Sequence, residues 1–308
     1  MLLHITGRPS KPDLIFLHFH EFMSFARKLL RPHICKRIFF ERLTEPLHLN
    51  LLSLVVGTFG SFRQKVAFDL VIRAHNAYGL LKAADLARSH GINEISALEF
   101  GVGSGPGLMN MEKIAGKVEA ETGVKIHLSG FDTGKGMPAA VDYRDHPEIY
   151  EKGDYPMNFD KLRAALPKHV ELVLGELKET LPVWMERNLE GRPIGYVVVD
   201  VDYYTSTVDA LNILKGSPAH YLPFVVVYMD DIVMEMHNSW CGELLAMREF
   251  NDSNKYRKIV HPAFIARDRV FKHAPWLQQM FFCHVLDHAT RQPGRPNRNV
   301  ISLQNPYL

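Results

Sequence analysis

The sequence predicts a doubly wound α/β domain on a mostly parallel sheet, preceded by a helical segment. Two observations carry that expectation. From Ile95 onward, short runs rich in β-branched and aromatic residues, each bounded by glycine or aspartate, alternate with longer amphipathic stretches. Parallel strands joined by crossover helices produce that alternation. Before Ile95, residues 12–42 and, more clearly, 64–90 carry apolar residues at roughly helical spacing.

Taken in order, "ISALEF" is the first predicted strand and 107–122 its crossover helix. "KIHLSGFD", "VELVLG", "IGYVVVD" and "FVVVYMDD" follow as strands, separated by helical patterns over 159–166, 181–188 and 206–214. "MFFCHVLD" reads as a late strand, and the stretch from 291 as a tail crossing the surface. The expected organisation is a helical or lid segment over 1–67, the α/β domain over 68–290 and a tail over 291–308. Within the first segment, "PLHLNLLSLVVGTFGSF" (46–62) is apolar but too short to span a bilayer and is broken by Asn50, Ser53, Gly57 and Gly60. It is expected to form a buried or lid helix, with a membrane-surface or partner contact as the alternative.

Composition excludes several classes. A chain of 308 residues that is 46% hydrophobic can bury a sizeable core. A net charge of +2 gives no reason to expect a nucleic-acid or anionic-membrane partner. Cys35, Cys241 and Cys283 stand far apart without zinc-ligand spacing, which argues against a disulfide framework and fits a reducing cytoplasm. The N-terminus lacks the apolar core and cleavage site of a secretory signal.

"ALEFGVGSGPG" (97–107) sits where the first strand should end, and in such sheets ligands bind beyond the carboxyl ends of the strands. Gly101, Gly103 and Gly105 allow a tight turn whose backbone N–H groups face a ligand. The spacing is not the dinucleotide GxGxxG, since the third glycine would fall on Pro106 or Leu108. Glu99 is placed to meet a cationic amino group of the ligand or to order the loop. Asp132, closing the second strand, suits the two hydroxyls of a ribose, so two strand ends point to one adenosine-like ligand; a helix cap is the plainer reading of Asp132 alone.

Farther along, "VVVDVDYYTST" carries Asp200 and Asp202, and "VVVYMDD" carries Asp230 and Asp231, all at the same edge of the sheet. Carboxylates about 4 Å apart repel by roughly 4 kcal/mol at an effective dielectric near 20. A hard divalent cation such as Mg²⁺ relieves that conflict with oxygen ligands alone. Helix capping is the alternative for any one of these acids.

These motifs, in this order, together with "GFDTGKGMP", "GELKETLP", "YMDDI" and "GELLAMREFN", resemble the class I S-adenosylmethionine-dependent methyltransferases, within them the macrocin O-methyltransferase-like group, over roughly residues 68–251. The resemblance implies that Glu99, Gly101, Gly103, Gly105 and Asp132 hold S-adenosylmethionine, that Asp200, Asp230 and Asp231 bind Mg²⁺, and that Asp202 is the general base. Thr133, Gly134, Lys135 and Gly136 depart from the bulkier aromatic-acid pair common in the family. The acceptor implied is a hydroxyl of a small molecule or sugar, and a homo-oligomer is possible. A non-catalytic donor-binding or regulatory protein is the second reading and a nicotinamide-dependent oxidoreductase the third.

Other residues weigh less. His237 is a reserve base if Asp202 ligates the metal. His18, His20 and Glu21 in "LHFHEF" do not share a helical face at i, i+2. His284 and His288 read as core or surface filling. Tyr203 and Tyr204 either line an acceptor site or pack.

Overall fold

The apolar runs assemble into a seven-stranded sheet in a computed structural model that describes residues 45–293 and residue 304. The predicted helix over 12–42, the "LHFHEF" residues, Cys35 and most of the tail lie outside the described residues. The described residues divide into two compact units, 45–78 with 263–277, and 79–262 with 278–293 and 304.

In the second unit, β1 (Glu94–Phe100), β2 (Lys125–Asp132), β3 (Glu171–Leu174), β4 (Ile194–Val199) and β5 (Tyr221–Met229) are parallel. β6 (Arg257–Val260) and β7 (Met280–Val285) complete the order β3-β2-β1-β4-β5-β7-β6, with β7 antiparallel to both neighbours. This is the sheet of the class I methyltransferases. Residues alternate between two covered faces. Leu98 and Phe100 of β1 and Val197 and Val199 of β4 join one core with Leu181 and Trp184 of α6 (Leu177–Asn188), Leu211 of α7 (Tyr204–Leu211) and Phe250 of α8 (Gly242–Ser253). The opposite face receives α4 (Pro106–Thr122), whose Leu108 lies where a side chain at Gly130 of β2 would go. Gly79 of α3 (Ala74–Ser89) likewise leaves room for the Tyr196 ring. The remaining helix of this unit is α5 (Phe159–Ala165), capped by Asn158, which accepts from Lys161 N–H at 3.1 Å.

Three elements differ from expectation. The helical pattern over 64–90 is broken by a turn at 68–73. α6 begins at Leu177 and continues through Pro182, so the proline did not mark a boundary. β6 was not expected; four residues opening on Arg-Lys carry too little alternation to read as a strand.

In the first unit, α1 (Leu47–Phe59) buries Asn50, Ser53, Val56 and Gly57. Leu47, Leu51, Leu52, Val55 and Phe59 are exposed, so the expected buried helix is buried on one side only. α2 (Phe62–Ala67) starts from a capping box in which Ser61 and Gln64 exchange hydrogen bonds. Arg269 is the charged centre of this unit. Its Nη2 donates to Val66 O at 2.7 Å and to Asp69 Oδ1 at 2.5 Å, and its guanidinium lies over the Tyr78 and Trp276 rings. Breaking a buried pair leaves an uncompensated charge, which costs about 3–5 kcal/mol. Arg269→Met is therefore expected to lower unfolding stability by that amount in urea, with part recovered in Arg269→Met/Asp69→Asn; an unchanged midpoint in the single variant refutes the role. Among the described residues, no helix is long and apolar enough to cross a membrane.

Candidate functional site

A cavity of about 570 Å³ opens at the carboxyl ends of β1, β2, β4 and β5. Gly101, Gly103 and Asp132 line one part of it, and Asp200, Asp202, Asp230 and Asp231 another. The sheet itself delivers them, because its hydrogen-bond ladder continues past the strand ends. Gly101 N–H donates to Phe131 O, Asp200 N–H to Phe100 O and Asp230 N–H to Val199 O, at 2.9–3.0 Å.

The glycine loop is built for close backbone approach. Gly101 has φ +85°, and a Cβ there would lie 1.6 Å from the Asp200 carbonyl oxygen. Asp132 ties two loops together: Oδ2 accepts from Gly103 N–H at 2.8 Å and Oδ1 from Gly134 N–H at 2.6 Å. Glu99 and Gly105 do not line the cavity. Glu99 is buried behind the loop, its Oε1 lying 1.7 Å from where a Gly107 Cβ would stand. A carboxylate in that place faces the first turn of α4, where the helix dipole favours negative charge.

The acid end is crowded. Carboxylate oxygens of Asp200, Asp230 and Asp231 lie within 4.8 Å of one another. Tyr228 OH donates to Asp230 Oδ1 at 2.9 Å and Gln279 Nε2 to Asp230 O at 2.6 Å, which fixes that residue from two sides. Burial, then the charges of Asp202, Asp200 and Asp230, pushes the Asp231 carboxyl up to about 9. Burial likewise raises Asp202, with the Asp230 charge adding to it. Like charges at 4.8 Å repel by about 3.5 kcal/mol at an effective dielectric near 20, and a divalent cation reverses the sign of that term. An all-oxygen donor set, with Asp231 Oδ2 buried and lacking a hydrogen-bond partner, fits a hard cation.

Strain collects here. Asp202, His146 and Tyr155 have φ of 58°, 51° and 55°, a left-handed backbone costing on the order of 1–3 kcal/mol each in non-glycine residues. Tyr155 lines the cavity on the long loop 133–158. That loop hangs from the start of α7: Asp145 Oδ1 accepts from Thr205 N–H and Oγ1–H at 2.9 and 3.0 Å, and its Oδ2 from Val141 N–H at 2.9 Å. His146 is buried and stacks on His237, with ring centroids 4.7 Å apart. His237 Nδ1 meets Asp231 O, and burial lowers the imidazole below its ordinary value. Tyr203 packs in the core with Met137 and Tyr150, while Tyr204 OH donates to Glu249 at 2.7 Å; neither lines the cavity. His284 pairs with Arg291 and His288 caps a short turn.

Tyr228, Gln279, Tyr155 and Glu243 were missed from sequence. Only Tyr228 had a usable signal, since it stands two residues before Asp230, near the end of β5.

The sequence matches no family model and no curated protein sequence. Among solved structures, the calicheamicin methyltransferase CalS11 aligns over 90% of this chain and 94% of its own at 18% identity, TM-score 0.45. The O-methyltransferase NovP aligns over 68% of this chain and 78% of its own at 14% identity, TM-score 0.45. MycE, a methyltransferase of the mycinamycin pathway solved with Mg, SAH and mycinamycin VI, aligns over 84% of this chain and 64% of its own at 12% identity, TM-score 0.36. The chemistry rests on the residues of the cavity.

Proposed function

We propose that this chain is an S-adenosylmethionine-dependent O-methyltransferase that methylates a hydroxyl of a small molecule or sugar with the help of Mg²⁺. One observation carries the reading: the pliable glycine loop with Asp132 and the convergent triad Asp200, Asp230 and Asp231 share a single cavity. The assignment of 68–290 as the methyltransferase domain, flanked by 1–67 and 291–308, belongs to the same proposal.

Gly101, Gly103 and Asp132 would hold the donor, with Glu99 and Gly105 shaping the loop behind it. Each Asp132 oxygen accepts one backbone N–H and keeps a second lone pair for a ribose hydroxyl. S-adenosylmethionine supplies an electrophilic methyl group on a sulfonium. Asp200, Asp230 and Asp231 would hold Mg²⁺, which supplies orientation of the acceptor hydroxyl and a lower pKa for it. Asp202, beside them in the cavity, takes the hydroxyl proton on a carboxylate oxygen. Four convergent carboxylates favour this reading over a protein that only binds the donor.

Calorimetry with S-adenosylhomocysteine tests the donor half. Binding is expected, and Asp132→Ala should weaken it by about 1.5–3 kcal/mol, the scale of a hydrogen bond to a charged group. No heat with the compound alongside clear binding of NAD overturns the reading; unchanged affinity in the variant removes Asp132 from the donor site. Methyl transfer to any acceptor found by turnover should vanish with a chelator and return with Mg²⁺.

A further inference from the structure

Glu243, the second residue of α8, is fully buried behind the acid triad and has no part in the chemistry above. Its Oε2 accepts from Asp231 N–H at 3.2 Å, while Oε1 is buried without a hydrogen-bond partner. A carboxyl group in that position works against folding: it is removed from water, satisfied by one backbone donor and surrounded by Asp231, Asp200 and Asp202. The start of α8 is also held tightly against the site. Gly242 has φ +52°, and a Cβ on it would lie 3.0 Å from His146 Nε2 and 3.4 Å from Asp202 O. Asp231 is consequently gripped at both backbone groups, its N–H by Glu243 and its carbonyl by His237 Nδ1. Its carboxylate lies with those of Asp200 and Asp230, within 4.8 Å.

We propose that Glu243 is a positioning residue for the metal site, holding the Asp231 backbone from behind so that its carboxylate converges with those of Asp200 and Asp230. The inference rests on the metal reading above. It assigns Glu243 no contact with donor or acceptor.

Glu243→Met and Glu243→Gln separate position from packing. Methionine fills the buried volume but cannot accept the Asp231 N–H; glutamine can. Binding of Mn²⁺ alone, followed by the EPR signal of the free ion, is expected to weaken by about 10–100-fold in Glu243→Met, the usual loss when an outer partner of a metal ligand is removed. The thermal midpoint should stay equal or rise, because a buried carboxyl has been replaced by an apolar group. S-adenosylhomocysteine affinity should hold within about twofold, and Glu243→Gln should restore Mn²⁺ affinity to within about threefold of wild type. Wild-type Mn²⁺ affinity in Glu243→Met overturns the assignment while leaving the metal site intact. So does a Glu243→Gln variant as weak as Glu243→Met, since charge would then matter and position would not. A large fall in thermal midpoint with loss of the donor analogue marks a folding role and also overturns it. A wild-type protein that binds no Mn²⁺ refutes this proposal and the metal reading together.

Discussion

Asp202→Asn is expected to slow methyl transfer by roughly 10²–10⁴-fold, the usual contribution of a general base, with donor and metal affinities nearly unchanged. The substitution is unusually clean at this position. Asp202 has φ +58°, and asparagine tolerates the left-handed region as readily as aspartate, so the backbone need not move. The amide is isosteric with the carboxylate but is neutral and cannot take a proton. Single-turnover rates on an acceptor found by screening hydroxylated sugars and phenols, beside Mn²⁺ and S-adenosylhomocysteine titrations, provide the check. A variant that loses Mn²⁺ binding makes Asp202 a ligand and leaves the base to be found elsewhere, while one with full turnover excludes it from both roles.

Gly101→Ala should be the most damaging conservative change in the cavity. The new methyl carbon would stand 1.6 Å from Asp200 O and 2.6 Å from Asp200 C, both backbone atoms, at a φ of +85° that alanine resists. Relief requires the ends of β1 and β4 to part, and a loss above about 4 kcal/mol is expected. Urea unfolding reads the effect, and both S-adenosylhomocysteine and Mn²⁺ affinity should fall because Gly101 and Asp200 move together. Gly103→Ala is the internal control: φ is positive there as well, at +52°, but nothing lies within 4 Å of the added carbon, so the cost should be only about 1–2 kcal/mol of backbone strain. Equal stability of the two variants would refute the close approach at Gly101.

Strands of five or six apolar residues announce themselves, and β1, β2, β4 and β5 were legible to within a few residues. β3 was readable from its bounding glycine. β6 was not, because "RKIV" is short and half charged, and its place depends on pairing with β7 rather than on its own pattern. Nor does local sequence show that β7 runs antiparallel, since period-two alternation is the same in either direction. At the site, acids that end strands were visible because strand ends are. Glu243 was hidden: a glutamate in the first turn of a helix reads as a dipole partner, and only the packing of α8 buries it behind Asp231.

The hanging of the 133–158 loop from α7 through Asp145 bears on acceptor choice. Gly101, Asp200 and Asp230 are set by the strand ladder, whereas Met137, Pro138, Tyr155 and Pro156 face the cavity from a segment anchored separately at Thr205. On the proposed function, the residues that choose the acceptor would lie on a different part of the chain from those that carry the reaction. If that reading holds, randomising only the cavity-facing Pro138, Tyr155 and Pro156 is expected to change the acceptor that turns over while S-adenosylhomocysteine and Mn²⁺ affinity stay near wild type.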